Sequence, residues 1–321
     1  MGLPIRWALT ACLALAIATS LCAGEALAWG NDGHRVVALI ARHYIDQDPQ
    51  VAQAVDDLLA GPTDPALPVS TFAELATWAD VYRASTPKRR AATHLWHFID
   101  IDVQAPNATQ ACFGTVTLAP GKLASSGPAR DCVVDKINQF RSELADASLP
   151  ASERKLALLY LLHFVGDVHQ PLHAAERNKD GGGNAVPVVL GANAWGLPLH
   201  SYWDDNVVHS LGGTPDAIAN ALIADITPAK RKTWTSGAPA GQALAWANES
   251  FPVARDYAYA KLPSKTRTCK ISDRNGPPKT PDCFVIDTVY ANAASIQGRV
   301  QLEKAGVRLA SVIIQSLRPP P

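Results

Sequence analysis

Apolar residues recur at helical spacing along most of this chain. Between residues 34 and 45 the stripe runs through Val37, Ile40, Ala41 and Tyr44, and between 72 and 82 through Leu75, Trp78 and Tyr82. Residues 155–168 are apolar on nearly every face, which predicts a helix through the middle of the protein. Further helical patterns cover 133–145, 242–250 and 289–317, the last ended by Pro319, Pro320 and Pro321. Residues 185–190 alternate poorly and contain Pro187, so a short edge strand or hairpin is the most they support. The Pro/Gly-rich stretches 61–68, 119–121 and 276–281 are too short to be linkers and read as surface loops. The expected fold class is mainly α, one domain over residues 29–321, with a small β-hairpin.

The first 28 residues follow a different pattern. Arg6 supplies a positive start, residues 7–21 are apolar, and Ala26-Leu27-Ala28 offers the small-x-small motif that signal peptidase accepts. The apolar run is shorter than the roughly 20 residues that a spanning helix needs, so residues 1–28 are expected to be a signal peptide. Cleavage would leave Trp29 first and send the protein to the periplasm or the medium. A lipid anchor at Cys22 is disfavoured, because Ser20-Leu21 is not the usual small pair before it.

Export changes the reading of the cysteines. Cys12 and Cys22 leave with the signal, and Cys112, Cys132, Cys269 and Cys283 remain. An even number in an exported chain suggests two disulfides, and the short separations favour Cys112 with Cys132 and Cys269 with Cys283. None sits at Cys-x-x-Cys spacing, which argues against thiolate zinc sites. Charge adds a constraint: 29 basic residues balance 29 acidic ones. Nucleic-acid binders usually carry a basic face, and here only Lys88-Arg89-Arg90 and Lys230-Arg231-Lys232 cluster. Positive charge for a phosphate ligand must come largely from elsewhere.

Histidines near aspartates suggest the source. His163 and Asp167 lie four apart in the apolar 155–168 segment, so they share a helix face one turn apart, a spacing suited to one metal. A buried carboxylate needs a cation, and no Lys or Arg occurs between His163 and His173. Pro171 ends the helix, which lets His173 turn back toward the same place. His169 is read as holding that turn rather than ligating. His200 and Asp204 repeat the four-residue spacing, and Asp80 and His97 sit in the aromatic settings Trp78-Ala79-Asp80 and Trp96-His97-Phe98. Any one of these could be a satisfied core polar group; together they suggest metal. At Trp29 a free α-amine and its own carbonyl oxygen could chelate an ion, with His34 adding a nitrogen, and the near-neutral pKa of such an amine makes its deprotonation cheap.

These motifs, in this order, resemble the S1/P1 family of zinc-dependent single-strand nucleases. The likeness runs through Trp29-Gly30 with His34, Trp78-Ala79-Asp80, Trp96-His97-Phe98-Ile99-Asp100, the stretch from His163 to His173, Gly182-Gly183-Asn184 and His200-Ser201-Tyr202-Trp203-Asp204. The resemblance implies a single mainly α domain related to zinc phospholipases C, holding three Zn²⁺. Asp80, His97, His163 and Asp167 would hold one ion, Trp29, His34 and Asp167 a second, and His173, His200 and Asp204 the third. It also implies that Arg83 contacts the scissile phosphate, with Asp80 and Asp167 as its catalytic companions, and that Phe98, Asp100 and Asn184 hold a nucleobase. The loop 176–183 is longer than in the fungal members. Three Zn²⁺ against three aspartates leave a site charge of about +3, which would let a neutral protein hold a polyanion. The implied reaction is hydrolysis of single-stranded DNA, RNA and 3′-nucleotides to products with 5′ phosphates; nothing in the sequence demands a partner subunit, so a monomer is expected. Two other readings remain at this stage. The same metal site could act on phospholipid as a phospholipase C, or the chain could only bind zinc. A zinc protease is disfavoured because no His-Glu-x-x-His occurs.

Overall fold

The computed structural model describes residues 29–60, 70–237, 241–273 and 276–318. The signal segment, the 61–68 loop and the prolines 319–321 lie outside the described residues. Helices dominate, as the pattern predicts. The N-terminal helix Gly30–Ile45, the helix Val133–Ala145, the central helix Ala151–Asp167 and the C-terminal helix Thr288–Leu317 pack around one hydrophobic core. From Leu158 to Asp167 every residue of the central helix is buried, so it runs through the interior with no solvent face. The C-terminal helix, about 45 Å long, starts where Asp287 accepts from the Tyr290 amide at 2.8 Å. Among the described residues no helix is long and apolar enough to cross a membrane.

Both disulfides form as the spacing favoured, Cys112 with Cys132 and Cys269 with Cys283. Two expectations need correction. The predicted helix over 72–82 is two helices, Phe72–Leu75 and Trp78–Ser85. The Thr77 hydroxyl donates to the Glu74 carbonyl at 2.9 Å, and the Ala76 amide closes a tight turn onto Ala73. The hairpin is instead part of a four-stranded mixed sheet. Its strands are β1 (Pro187–Leu190), β2 (Leu197–Pro198), β3 (Thr266–Thr268) and β4 (Asp282–Ile286), in the order β2-β1-β4-β3. β1 is interior, antiparallel to β2 and parallel to β4 with Val188 opposite Phe284. Pro187 is tolerated there because it opens the strand. Its partner β4 lies far downstream and leaves no trace in the local pattern.

A buried polar network joins the C-terminal helix to the end of the central helix. Arg308 donates to His169 Nε2 at 2.9 Å, to Glu249 Oε1 at 2.7 Å and to the Trp234 carbonyl at 3.1 Å. Gln301 Nε2 donates to the His169 carbonyl and to Ser250 Oγ, each at 3.0 Å, and Ser250 Oγ donates to the Val168 carbonyl. These bonds fix the chain where it leaves the central helix. Arg308→Leu leaves buried acceptors unpaired, so denaturant unfolding of the metal-loaded protein is expected to show a loss of about 3 kcal/mol.

Candidate metal centre

Five segments converge beside the C-terminal half of the central helix. His163 and Asp167 face outward from it one turn apart, and both are completely buried. The N-terminal helix brings His34, whose ring stacks on His163 with centroids 3.8 Å apart. A Cβ at Gly166 would lie 2.8 Å from His34 Nδ1, so glycine there lets the two helices close on each other. The break before Trp78–Ser85 has a use at this point. The Ala76 carbonyl accepts from His163 Nδ1 at 2.7 Å, while Asp80, on the following helix, points its carboxylate at the far side of the same ring. His97 ends the short 3-10 turn His94–His97.

The resulting distances describe two adjoining groups. Asp167 Oδ1 lies 3.3 Å from His34 Nε2 and 3.4 Å from His163 Nε2, and Asp167 Oδ2 lies 3.0 Å from His97 Nδ1. Asp80 is 3.6 Å from both His163 Nε2 and His97 Nδ1. The potential ligand atoms of His34, His163 and Asp167 all lie within 4.8 Å of one another, and so do those of Asp80, His97 and His163. Asp167 therefore touches both sets. Trp29 is completely buried, in a left-handed conformation (φ 30°), and its carbonyl accepts the His34 amide at 3.3 Å.

A third group forms where the chain turns after the central helix. Gln170 Oε1 accepts the Leu172 amide at 2.6 Å, capping the turn Pro171–His173. His173 Nδ1 donates to the His97 carbonyl and His200 Nδ1 to the Gly182 carbonyl, each at 2.7 Å. Gly182 adopts a φ of +61°, and a Cβ there would lie 2.3 Å from the Leu172 carbonyl oxygen, so no other residue fits. Asp204 sits on a π-type turn, Tyr202–Asn206, and Gln170 Nε2 donates to its Oδ1 at 2.6 Å. His173, His200 and Asp204 offer ligand atoms within 4.8 Å of one another. Cys112, Cys132 and Asp135 also meet that distance, but their two sulfurs are joined as a disulfide. His169 turns away to Arg308, as the proline argument expected.

These atoms fit cations better than they fit one another. Because the backbone carbonyls fix the Nδ1 protons of His173 and His200, their two Nε2 lone pairs face each other at 3.0 Å. His163 Nε2, Asp167 Oδ1 and Asp204 Oδ2 are sealed from solvent with no hydrogen-bond donor. Nitrogen and carboxylate oxygen in small convergent groups is the donor set of zinc. Without an ion, burial drives each group to its neutral form. It holds the His97, His163 and His173 pKa values far below the usual imidazole range, and lowers His200 to about 4. It raises Asp167 and Asp204 far above the carboxylate range and Asp80 to about 6.

A pH dependence follows from these directions. Asp80, raised from 3.8 to about 6 in the metal-free fold, stabilises that fold below pH 3.8 and loses the contribution as pH climbs through 6. A bound cation removes the loss. His97, His163, His173 and His200 stay neutral in both forms down to about pH 5, so they cancel in the difference. The gap in Tm between metal-loaded and chelated protein is expected to widen from pH 5 to pH 8. Asp167 and Asp204, raised in the same direction, act with the same sign, so a gap that is constant or narrows would contradict the burial of these three carboxylates at the metal groups.

Beside the three groups a cavity of about 130 Å³ opens to solvent, lined by Arg83, His94, Phe98, Asp100, Leu172, His173, Gly181, Asn184 and His200. The structure thus brings Arg83, Phe98, Asp100 and Asn184 to one cleft with two candidate ligands. Arg83 is buried and pairs with Asp80 Oδ1 at 2.8 Å. Burial, then Glu176 and Asp180, push Asp100 up to about 7. Asn184 is exposed and donates to the Gly181 carbonyl at 2.8 Å. His94 is an addition that the sequence reading missed; its ring meets Phe98 edge-on at 5.4 Å. Gln170, Gly166 and the Ala76 carbonyl were also missed, since none belongs to a residue type that ligates metal.

The family model for S1/P1 nuclease matches residues 29–318. The chain belongs to the S1/P1 nuclease family. Among curated relatives, nuclease P1 of Penicillium citrinum is 28% identical over 301 residues, covering 89% of this chain and 96% of that protein. Nuclease S1 of Aspergillus oryzae is 28% identical over 251 residues, 74% of this chain and 79% of that protein. Endonuclease 2 of Arabidopsis thaliana is 27% identical over 252 residues, 72% of this chain and 77% of that protein. Fungal and plant nucleases thus align with most of this chain.

Proposed function

We propose that this S1/P1 family member is an exported endonuclease that hydrolyses phosphodiester bonds of single-stranded DNA and RNA, leaving 5′ phosphates, and that it also removes the phosphate of 3′-nucleotides. Three zinc ions would be held as the sequence suggests: one by Asp80, His97, His163 and Asp167, one by Trp29, His34 and Asp167, and one by His173, His200 and Asp204. The carrying observation is the cluster of buried acceptor atoms at Asp167, His163 and Asp204 that lack hydrogen donors, set beside a cleft with a cation and an aromatic ring. The family match beginning at Trp29 supports the free amine there. The two disulfides suit an oxidising compartment, which supports export.

When bound, the zinc ions supply positive charge and acidify a water molecule enough to serve as the nucleophile near neutral pH. The protein's own groups do the positioning. Arg83, held by Asp80, donates to the phosphoryl oxygens, and its buried setting strengthens that interaction as charge develops. Phe98 stacks on one base, held by His94 against its edge. Asp100 and Asn184 meet the edge of that base; a carboxyl near its pKa at neutral pH can donate as well as accept. A base must leave its stack to enter, so single strands are favoured.

A phospholipid substrate is a second reading, favoured only by the shared donor set, whereas Phe98 with Asp100 and Asn184 favours a base. The test is elemental analysis of the secreted, N-terminally sequenced protein, with hydrolysis of single-stranded DNA, RNA and phosphatidylcholine. Three zincs, a Trp29 start and chelator-sensitive strand cleavage are expected. Cleavage of the lipid alone would move the assignment to a phospholipase.

A further inference from the structure

A second cavity, of about 510 Å³, lies beside the catalytic cleft and shares two of its walls, Phe98 and Asp100. Its other walls include Leu95, Gln110, Phe113 and Glu176. Phe113 is among the few exposed large apolar side chains of the described residues, and it adopts a left-handed backbone (φ 55°) that phenylalanine rarely takes. A large ring held outward at a conformational cost is a candidate binding platform.

The surroundings hold the ring in place. Cys112, next to Phe113, is tied to Cys132, and the Val133 amide donates to the Phe98 carbonyl at 3.2 Å. The disulfide therefore ties the Phe113 turn to the segment that rests on the Phe98 backbone. Arg130, two residues before Cys132, places its guanidinium 5.1 Å from the centre of the Phe113 ring and is exposed. The Gln110 side chain makes no hydrogen bond among the described residues, so its amide is available to a ligand.

We propose that this cavity is a second nucleobase subsite, which stacks a neighbouring base of the same strand on Phe113 while Arg130 meets the adjoining phosphate. The proposal rests on the nuclease reading and extends it from one base to two. The walls also set a preference. Asp100, Asp102 and Glu176 line the cavity with acceptors, which suits the exocyclic amino groups of adenine, cytosine and guanine. Thymine and uracil carry no such group. The acidic lining also keeps the phosphate out of the cavity, toward Arg130.

The test compares kcat/KM on a 3′-mononucleotide, which fills only the cleft at Phe98, with that on short oligodeoxycytidylate and oligothymidylate. In Phe113→Ala the advantage of oligodeoxycytidylate over the mononucleotide is expected to fall about tenfold, through KM, the loss of one stacked base. Phe113→Trp is expected to keep the advantage, which separates stacking from any misfolding of the turn. Wild type is expected to favour oligodeoxycytidylate over oligothymidylate, and Phe113→Ala to narrow the difference. Equal losses on long and short substrates, or none, in an active enzyme would overturn the subsite alone. Failure of wild type to cleave any of the three would overturn the nuclease reading and the subsite with it.

Discussion

Asp167→Asn is expected to lower strand cleavage by at least about a thousandfold and to reduce the zinc content below three per chain. Asp167 lies within reach of both His34 and His163 on one oxygen and of His97 on the other. An asparagine keeps the shape but replaces one ligand oxygen with an NH₂ group and removes a negative charge that two neighbouring cations would share. Loss of the charge stabilisation such a pair supplies accounts for a drop of that size. Folding damage can be distinguished from metal loss. In the metal-free protein burial already favours the neutral form of Asp167, so the neutral amide is isosteric with it. Chelated Asp167→Asn should therefore unfold at or above the temperature of chelated wild type. A variant that kept three zincs and activity within tenfold would remove Asp167 from the shared position.

The second large effect is expected from the start of the mature chain. A protein beginning one alanine before Trp29 should lose the ion beside His34 and at least about a hundredfold in activity. Extension turns the α-amine of Trp29 into an amide nitrogen, which has no lone pair to offer a metal near neutral pH, and only His34, Asp167 and the weak Trp29 carbonyl oxygen remain for that ion. The position tolerates little: Trp29 is completely buried, and a Cβ at Gly30 would collide with the Asp205 carboxylate. Removing the alanine with an aminopeptidase should restore both metal and rate. Full activity in the extended protein would show that the amine is not a ligand.

Much of this centre was legible because metal ligands obey local rules. His163 with Asp167 and His200 with Asp204 are each four residues apart, and a helix puts such pairs on one face wherever it lies in the fold. The proline after Gln170 announced the turn that carries His173. Asp80 and His97 had no such partner in sequence; their aromatic settings only nominated them, and the family likeness joined them to His163 and Asp167. His94 escaped notice because a histidine among exposed residues gives no sign of which ring it will meet.

The residue pattern by itself determined most of the helices, the apolar central segment that had to be buried and the residue types a cation would need, and it favoured both disulfide pairs. These depend on periodicity, composition and short separations, which the chain carries in any conformation. Only the tertiary structure decided how the 72–82 helix breaks to offer the Ala76 carbonyl to His163, how β1 becomes an interior strand, and how Phe113 comes to share a wall with Phe98. Each of these depends on a partner far away along the chain. A carbonyl or a strand edge is satisfied by whichever group packing brings to it, and local spacing does not encode that choice.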